Sequence, residues 1–127
     1  MAKKEFTFRG MTLDEAKKLS LKEFMKHVPS RSRRSLERGF TDAQKILLEQ
    51  LKTGKNSVKT HCRDMVIIPE MIDRKIKVHN GKQFVEVLIQ AEMLGHVLGE
   101  FSLTRGGVKH SAPGVGATRS STGVSVK

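Results

Sequence analysis

The stretch Lys75-Ile76-Lys77-Val78-His79-Asn80-Gly81-Lys82-Gln83-Phe84-Val85-Glu86-Val87-Leu88-Ile89 decides the reading of the fold. Its two halves alternate apolar and polar side chains, the period of a half-buried strand, and Asn80-Gly81 joins them. Asn-Gly is favoured where both central residues of a tight hairpin turn take positive φ. A two-residue turn at that dipeptide predicts that Val78 faces Gln83, Ile76 faces Val85 and Lys75 faces Glu86. Ile76, Val78, Val85, Val87 and Ile89 then share the core face. The opposite face carries Lys75, Lys77, His79 and Lys82 against one acid, Glu86. One side of this hairpin suits packing and the other suits phosphate.

Upstream, Met65-Val66-Ile67-Ile68 is a short apolar run stopped by Pro69, and the strand pattern begins near Val58. The first half of the chain is helical and carries its own punctuation. Thr12 with Glu15, Ser20 with Glu23, and Thr41 with Gln44 have capping-box spacing, each opening an apolar pattern. They predict helices over 13–19, 21–27 and 42–52, with Pro29 after the second and Gly54 closing the third. Between the second and third lies Ser30-Arg31-Ser32-Arg33-Arg34-Ser35-Leu36-Glu37-Arg38-Gly39, four arginines against one glutamate. A charge run is usually a solvated face. Here one sign dominates and Ser and Arg both contact phosphate, so Arg31, Arg33, Arg34 and Arg38 are candidates for RNA contact.

Downstream of Glu100 there is no acidic residue, and Gly and Ser fill much of the chain. Such a segment buries too little apolar surface to offset its ordering entropy, so a flexible basic tail is expected. The whole reads as α+β: short N-terminal helices packed with a small, mainly antiparallel sheet containing the Asn-Gly hairpin, plus that tail. The expected division is 1–57 as a helical extension, 58–105 as the sheet-containing core and 106–127 as the tail.

The 127 residues carry 24 Lys and Arg against 13 Asp and Glu, a formal net charge of +11, with a pI near 10.2. A small chain so charged repels itself until a polyanion neutralises it, and nucleic acid is the commonest. Met1-Ala2-Lys3-Lys4 has no apolar stretch behind it, and no window is apolar enough to span a bilayer, so a cytoplasmic protein without membrane contact is expected. Cys62 is the single cysteine, which excludes an internal disulfide and fits a reducing compartment.

Chemistry is hard to find. His61-Cys62 are neighbours in sequence only, and a thiol-imidazole pair must meet in space. One Cys and five scattered His lack zinc spacing, so no metal is expected. Gly106-Gly107 and Gly114-Val115-Gly116 lack the Lys-Ser/Thr of a nucleotide loop, so no cofactor is expected either. Phe84 and Phe101 read as core packing rather than as a base-stacking surface. A duplex-DNA binder would need a recognition helix or dimer seam, and neither is evident. An RNA-processing enzyme would need an acid/base cluster, and none is evident.

Specific strings carry a resemblance. Lys59-Thr60-His61-Cys62-Arg63-Asp64-Met65 with Pro69-Glu70-Met71, then Val78-His79-Asn80-Gly81-Lys82, then Glu92-Met93-Leu94-Gly95-His96-Val97-Leu98-Gly99-Glu100-Phe101 and Thr104-Arg105 follow in order. They resemble the universal small-subunit ribosomal protein family numbered nineteen in bacteria and fifteen in eukaryotes. Lys109-His110-Ser111-Ala112-Pro113-Gly114-Val115-Gly116-Ala117-Thr118-Arg119-Ser120-Ser121 and the helical first half resemble its archaeal and eukaryotic branch, and the short length an archaeal member.

The resemblance implies an α+β structural protein, not an enzyme, that binds ribosomal RNA in the head of the small subunit and forms no homo-oligomer. It implies contact with the neighbouring head protein numbered thirteen, and a tail approaching transfer RNA at the decoding region. By motif, Lys59, His61, Arg63, Lys82, His96 and Arg105 fall in strings on or near RNA, and Lys109, His110 and Arg119 in the tail. Asp73 stands where the family pattern has glycine.

Overall fold

The computed structural model describes residues 5–55 and 57–109. Four short helices come first: α1 (Leu13–Lys18), α2 (Leu21–His27), α3 (Ser30–Glu37) and α4 (Asp42–Lys52). Strands β1 (Val58–Thr60), β2 (Lys75–His79) and β3 (Phe84–Leu88) follow, with 3-10 turns at Pro69–Met71, Ala91–Met93 and Leu98–Phe101. The fold is α+β.

Three helices start where the capping residues stand. Glu15 accepts from the Thr12 amide at 2.8 Å, Glu23 from the Ser20 amide at 3.0 Å and Gln44 from the Thr41 amide at 3.1 Å. Only at Ser20 does the cap side chain also come within reach of the amide three residues on, at 3.4 Å. The Ser20 hydroxyl also donates to the Glu23 carboxylate at 2.8 Å. That bond first, then the Ser20 amide, holds the Glu23 carboxyl below its ordinary value, with the Lys26 charge assisting. A carboxyl lowered on folding contributes stability above its unfolded-state pKa and loses it as pH falls through the folded value. Ser20→Ala should therefore let the Glu23 carboxyl titrate closer to an ordinary glutamate. An NMR titration of its side chain reads this directly, and an unmoved midpoint would refute the bond's role.

Helix α3 departs from the sequence reading, which treated residues 30–39 as a connection. Pro29 is its N-cap and Gly39 closes it at φ +85°, with the Gly39 amide donating to Leu36 at 3.1 Å. Leu36 is its one buried residue, so the 3.6-residue apolar period that betrays a helix has nothing to repeat.

The sheet order is β1-β2-β3. The longer β2–β3 ladder is antiparallel, while β1 joins β2 in parallel, pairing Val58 with Ile76, Lys59 with Lys77 and Thr60 with Val78. The sheet is therefore mixed. The hairpin forms, but its register is not the expected one: Val78 pairs with Val85, Ile76 with Val87, Lys77 with Glu86 and Lys75 with Leu88.

The cause lies in Asn80. Gly81 takes φ +96° and Asn80 stays out of the left-handed region. Instead the Asn80 side-chain oxygen accepts from the amides of Lys82 at 3.0 Å and Gln83 at 2.8 Å, while the Asn80 amide donates to Gln83 at 3.0 Å. An Asx turn thus moves the bend on to Gly81-Lys82. Each partner shifts by two residues, which preserves the faces. Ile76, Val78, Val87 and Ile89 are buried as expected, and Val85 is half-buried.

Met65-Val66-Ile67-Ile68 is fully buried but is not a regular strand. It lies against residues 95–98, with Val66 bridged to Val97 and bonds from the Ile67 amide to His96 at 2.8 Å and from the Leu98 amide to Met65 at 3.0 Å. One hydrophobic cluster runs from Phe8, Phe24, Leu36 and Leu47 of the helical half through this run to Ile76, Val78 and Leu98. Helices and sheet share a single core, which leaves the other sheet face to solvent. Asp73 takes φ +63° and pairs its carboxylate with Lys17 at 3.1 Å.

Candidate nucleic-acid interface

Strand alternation decides which side chains meet on the outer sheet face. Lys59 of β1, Lys75, Lys77 and His79 of β2, and Phe84, Glu86 and Leu88 of β3 all point away from the core. Glu86 is the only acid among them and is shared, 3.4 Å from the Lys75 ammonium and 3.9 Å from that of Lys77. Lys75 thus reaches Glu86 diagonally, not as its paired neighbour. Lys82 is exposed in the loop beyond. Four lysines against one carboxylate leave the face strongly positive, and low-dielectric walls beneath it strengthen that field.

At the loop end of the same face three rings converge. His61 and His79 lie 4.4 Å apart between centroids, and Phe84 sits 5.2 Å from His61 and 4.8 Å from His79. The Lys59 ammonium lies 5.4 Å from the Phe84 centroid. The structure corrects the reading of Phe84 as core: it is half-exposed on the outer face. Its parity with Glu86 along the strand was the signal that places it there. Phe101, by contrast, does pack against the core, with its ring 6.0 Å from His96.

The loop carrying His79 is braced from behind. Its Nδ1 accepts from the Gly81 amide at 3.0 Å, which leaves Nε2 as the ring's donor. Arg63 braces it further. Its guanidinium donates to the carbonyls of His79 at 2.6 Å, Gly99 at 2.8 Å and Ser102 at 2.6 Å. The Gly99 amide returns a bond to the Arg63 carbonyl at 2.8 Å. A Cβ on Gly99 would stand 3.0 Å from that carbonyl oxygen. Arg63 is therefore turned inward, tying β2 to the last 3-10 turn.

The arginine cluster divides in the same way. Arg33 donates to the Met25 carbonyl at 3.0 Å and the Val28 carbonyl at 3.3 Å, so it serves the C-terminal end of α2, where backbone acceptors are left over. Arg31, Arg34 and Arg38 are exposed and take part in no ion pair among the described residues. His96 pairs its Nδ1 with Glu100 at 2.7 Å and, with Arg31, lines a groove of about 610 Å³ between α3 and the 95–100 segment. Arg105 and Lys109 are exposed, while His110 and Arg119 lie outside the described residues.

Among the described residues no three His, Cys, Asp or Glu side chains converge as metal ligands. No described helix is long and apolar enough to cross a membrane. Cys62 is a free, half-buried thiol against the core cluster.

Comparison with known proteins places this geometry. A family model described as ribosomal protein S19 matches residues 34–110, from within α3 through the whole sheet and its basic face. The chain is also 50% identical over 125 residues to the small ribosomal subunit protein uS19 of Methanococcoides burtonii, covering 98% of this chain and 91% of that relative. The relative's match thus takes in α1 and α2, which the family model leaves out. On both grounds the chain belongs to the ribosomal protein S19 family.

Proposed function

We propose that the lysine-bearing outer face of the sheet, with exposed Arg31, Arg34 and Arg38, seats the protein on ribosomal RNA in the head of the small subunit. Membership of the S19 family makes the chain a structural constituent of the small ribosomal subunit, not an enzyme. In the cell that means the ribosome, in the cytoplasm. The observation that carries the RNA reading is the outer face itself: Lys59, Lys75, Lys77 and Lys82 around one shared carboxylate, on a sheet whose other side is fully used by the core. A face so one-sided gains affinity by releasing counterions from each phosphate it meets.

His61, His79 and His96 add ring nitrogens that can hydrogen-bond RNA beside these cations. Family membership supports contact with the neighbouring head protein numbered thirteen. The acid-free segment from Arg105 and Lys109 onward, with His110 and Arg119, extends the positive charge toward transfer RNA in the decoding region. Arg33 and Arg63 act through the fold instead, because their guanidinium groups are engaged with backbone carbonyls.

Lys59→Glu with Lys77→Glu tests the reading. The two are cross-strand neighbours and exposed enough that folding should survive. Binding to the head-domain fragment of small-subunit ribosomal RNA should weaken roughly 10- to 100-fold at physiological salt. The slope of log affinity against log salt should fall by roughly 1.5, at 0.7–0.9 per lost contact. An unchanged slope and affinity would overturn the assignment of this face.

A further inference from the structure

We propose that His61, His79 and Phe84 form a stacking site for one unpaired RNA base, with Lys59 and Lys82 set to meet the phosphates on either side of it. This rests on the reading of the sheet face as the RNA surface, and adds a second kind of contact to it. Three separate segments deliver these rings: the chain just after β1, the end of β2 and the start of β3. None of the three is needed by the core, which is complete on the other side of the sheet. Apolar ring surface left in water beside lysines costs free energy unless a ligand covers it.

The arrangement fits a base. The two imidazole planes lie within 34° of each other, while the phenyl ring stands at 77° and 70° to them. At 4.4 Å between centroids the two imidazoles form a tilted stack with the phenyl ring edge-on beside it, so a planar base extends that stack over the exposed His61 ring. The His79 end of the stack is held before any ligand arrives. The His79 ring is fixed through the Gly81 amide, its carbonyl through Arg63, and the loop beyond through the Asn80 side chain. A site already ordered loses little entropy on binding.

Charge complementarity selects the occupant. Lys59 lies against the Phe84 ring, and Glu86 is the one acid among the strand residues of the outer sheet face. A base in a duplex has both faces covered by its neighbours, so only a looped-out or single-stranded nucleotide offers a face.

The test uses the full chain and a short single-stranded RNA carrying one 2-aminopurine. The protein has neither Trp nor Tyr, so the base's fluorescence is read without aromatic background. Wild type should quench the probe and bind it roughly tenfold more tightly than the same strand with an abasic site at that position. Phe84→Leu and, separately, His61→Ala should each lose most of that preference while keeping the wild-type salt slope. His61 is exposed, so its variant cannot fail merely by misfolding.

Equal affinity for the base-bearing and abasic strands, with a steep salt slope intact, would overturn the stacking site and leave the phosphate surface standing. Loss of the salt slope in wild type would remove both.

Discussion

Arg63→Met should lower the free energy of unfolding by about 3–5 kcal/mol and leave the salt slope of RNA binding where it was. The side chain satisfies three carbonyls from two separate segments, His79 at the end of β2 and Gly99 and Ser102 around the last 3-10 turn. Hydrogen bonds to a charged donor are worth roughly 1.5–3 kcal/mol each, and a buried acceptor left unpaired costs a further desolvation penalty. Methionine fills similar space but offers no donor. Arg63→Lys should recover only part of the loss, because one ammonium cannot reproduce a planar fork aimed at three fixed oxygens. Urea denaturation of the three proteins measures the stabilities. Near-wild-type stability with a salt slope reduced by one contact would show Arg63 facing RNA instead.

Phe24→Ala should cost a similar amount, about 3–5 kcal/mol. Phe24 is fully buried, and its ring stacks on Phe8 at 5.8 Å between centroids, which adds to the transfer and cavity terms. Small domains hold only about 5–15 kcal/mol in total, so this one substitution removes a large share. The single hydrophobic cluster makes a further demand. If helices and sheet melt as one unit, amide exchange at Ile76 and Val78 should accelerate along with that of α2, although β2 is distant in sequence. Fast exchange confined to α1 and α2, with β2 protected as in wild type, would show instead that the helical segment unfolds by itself.

What the sequence disclosed, and what it hid, follows the range of the interactions involved. Helices α1, α2 and α4 were legible because their starts are set by residues three apart: Thr12 with Glu15, Ser20 with Glu23, Thr41 with Gln44. The hairpin was legible from alternation, and its faces survived the error in register because the slip was an even number of residues. The turn itself was misplaced because a side chain, Asn80, supplied the acceptor that a backbone turn would have used.

Helix α3 was hidden by its composition, with only Leu36 to mark an inner face. The run Met65-Val66-Ile67-Ile68 was legible as core, but its partners at residues 95–98 lie too far along the chain for any local pattern to reveal.

The same limit governs the candidate site. The lysines of β2 could be placed on one face from their spacing alone. Arg63 and Arg33 could not be sorted from the exposed Arg31, Arg34 and Arg38, since an arginine clamping carbonyls and one left facing solvent are the same letter. For Arg63 the deciding partners lie 16 to 39 residues away. Phe84 was misassigned by residue type, although its parity with Glu86 already put it outside.

Lysine reactivity toward an acylating reagent, compared between the free protein and purified small subunits, tests the central claim most directly. If the outer sheet face is the RNA surface, Lys59, Lys75, Lys77 and Lys82 become protected together on assembly. If these four react in the subunit as they do in the free protein, while Lys45 and Lys52 of α4 are protected instead, the RNA surface lies on the helices and the sheet face has been misread.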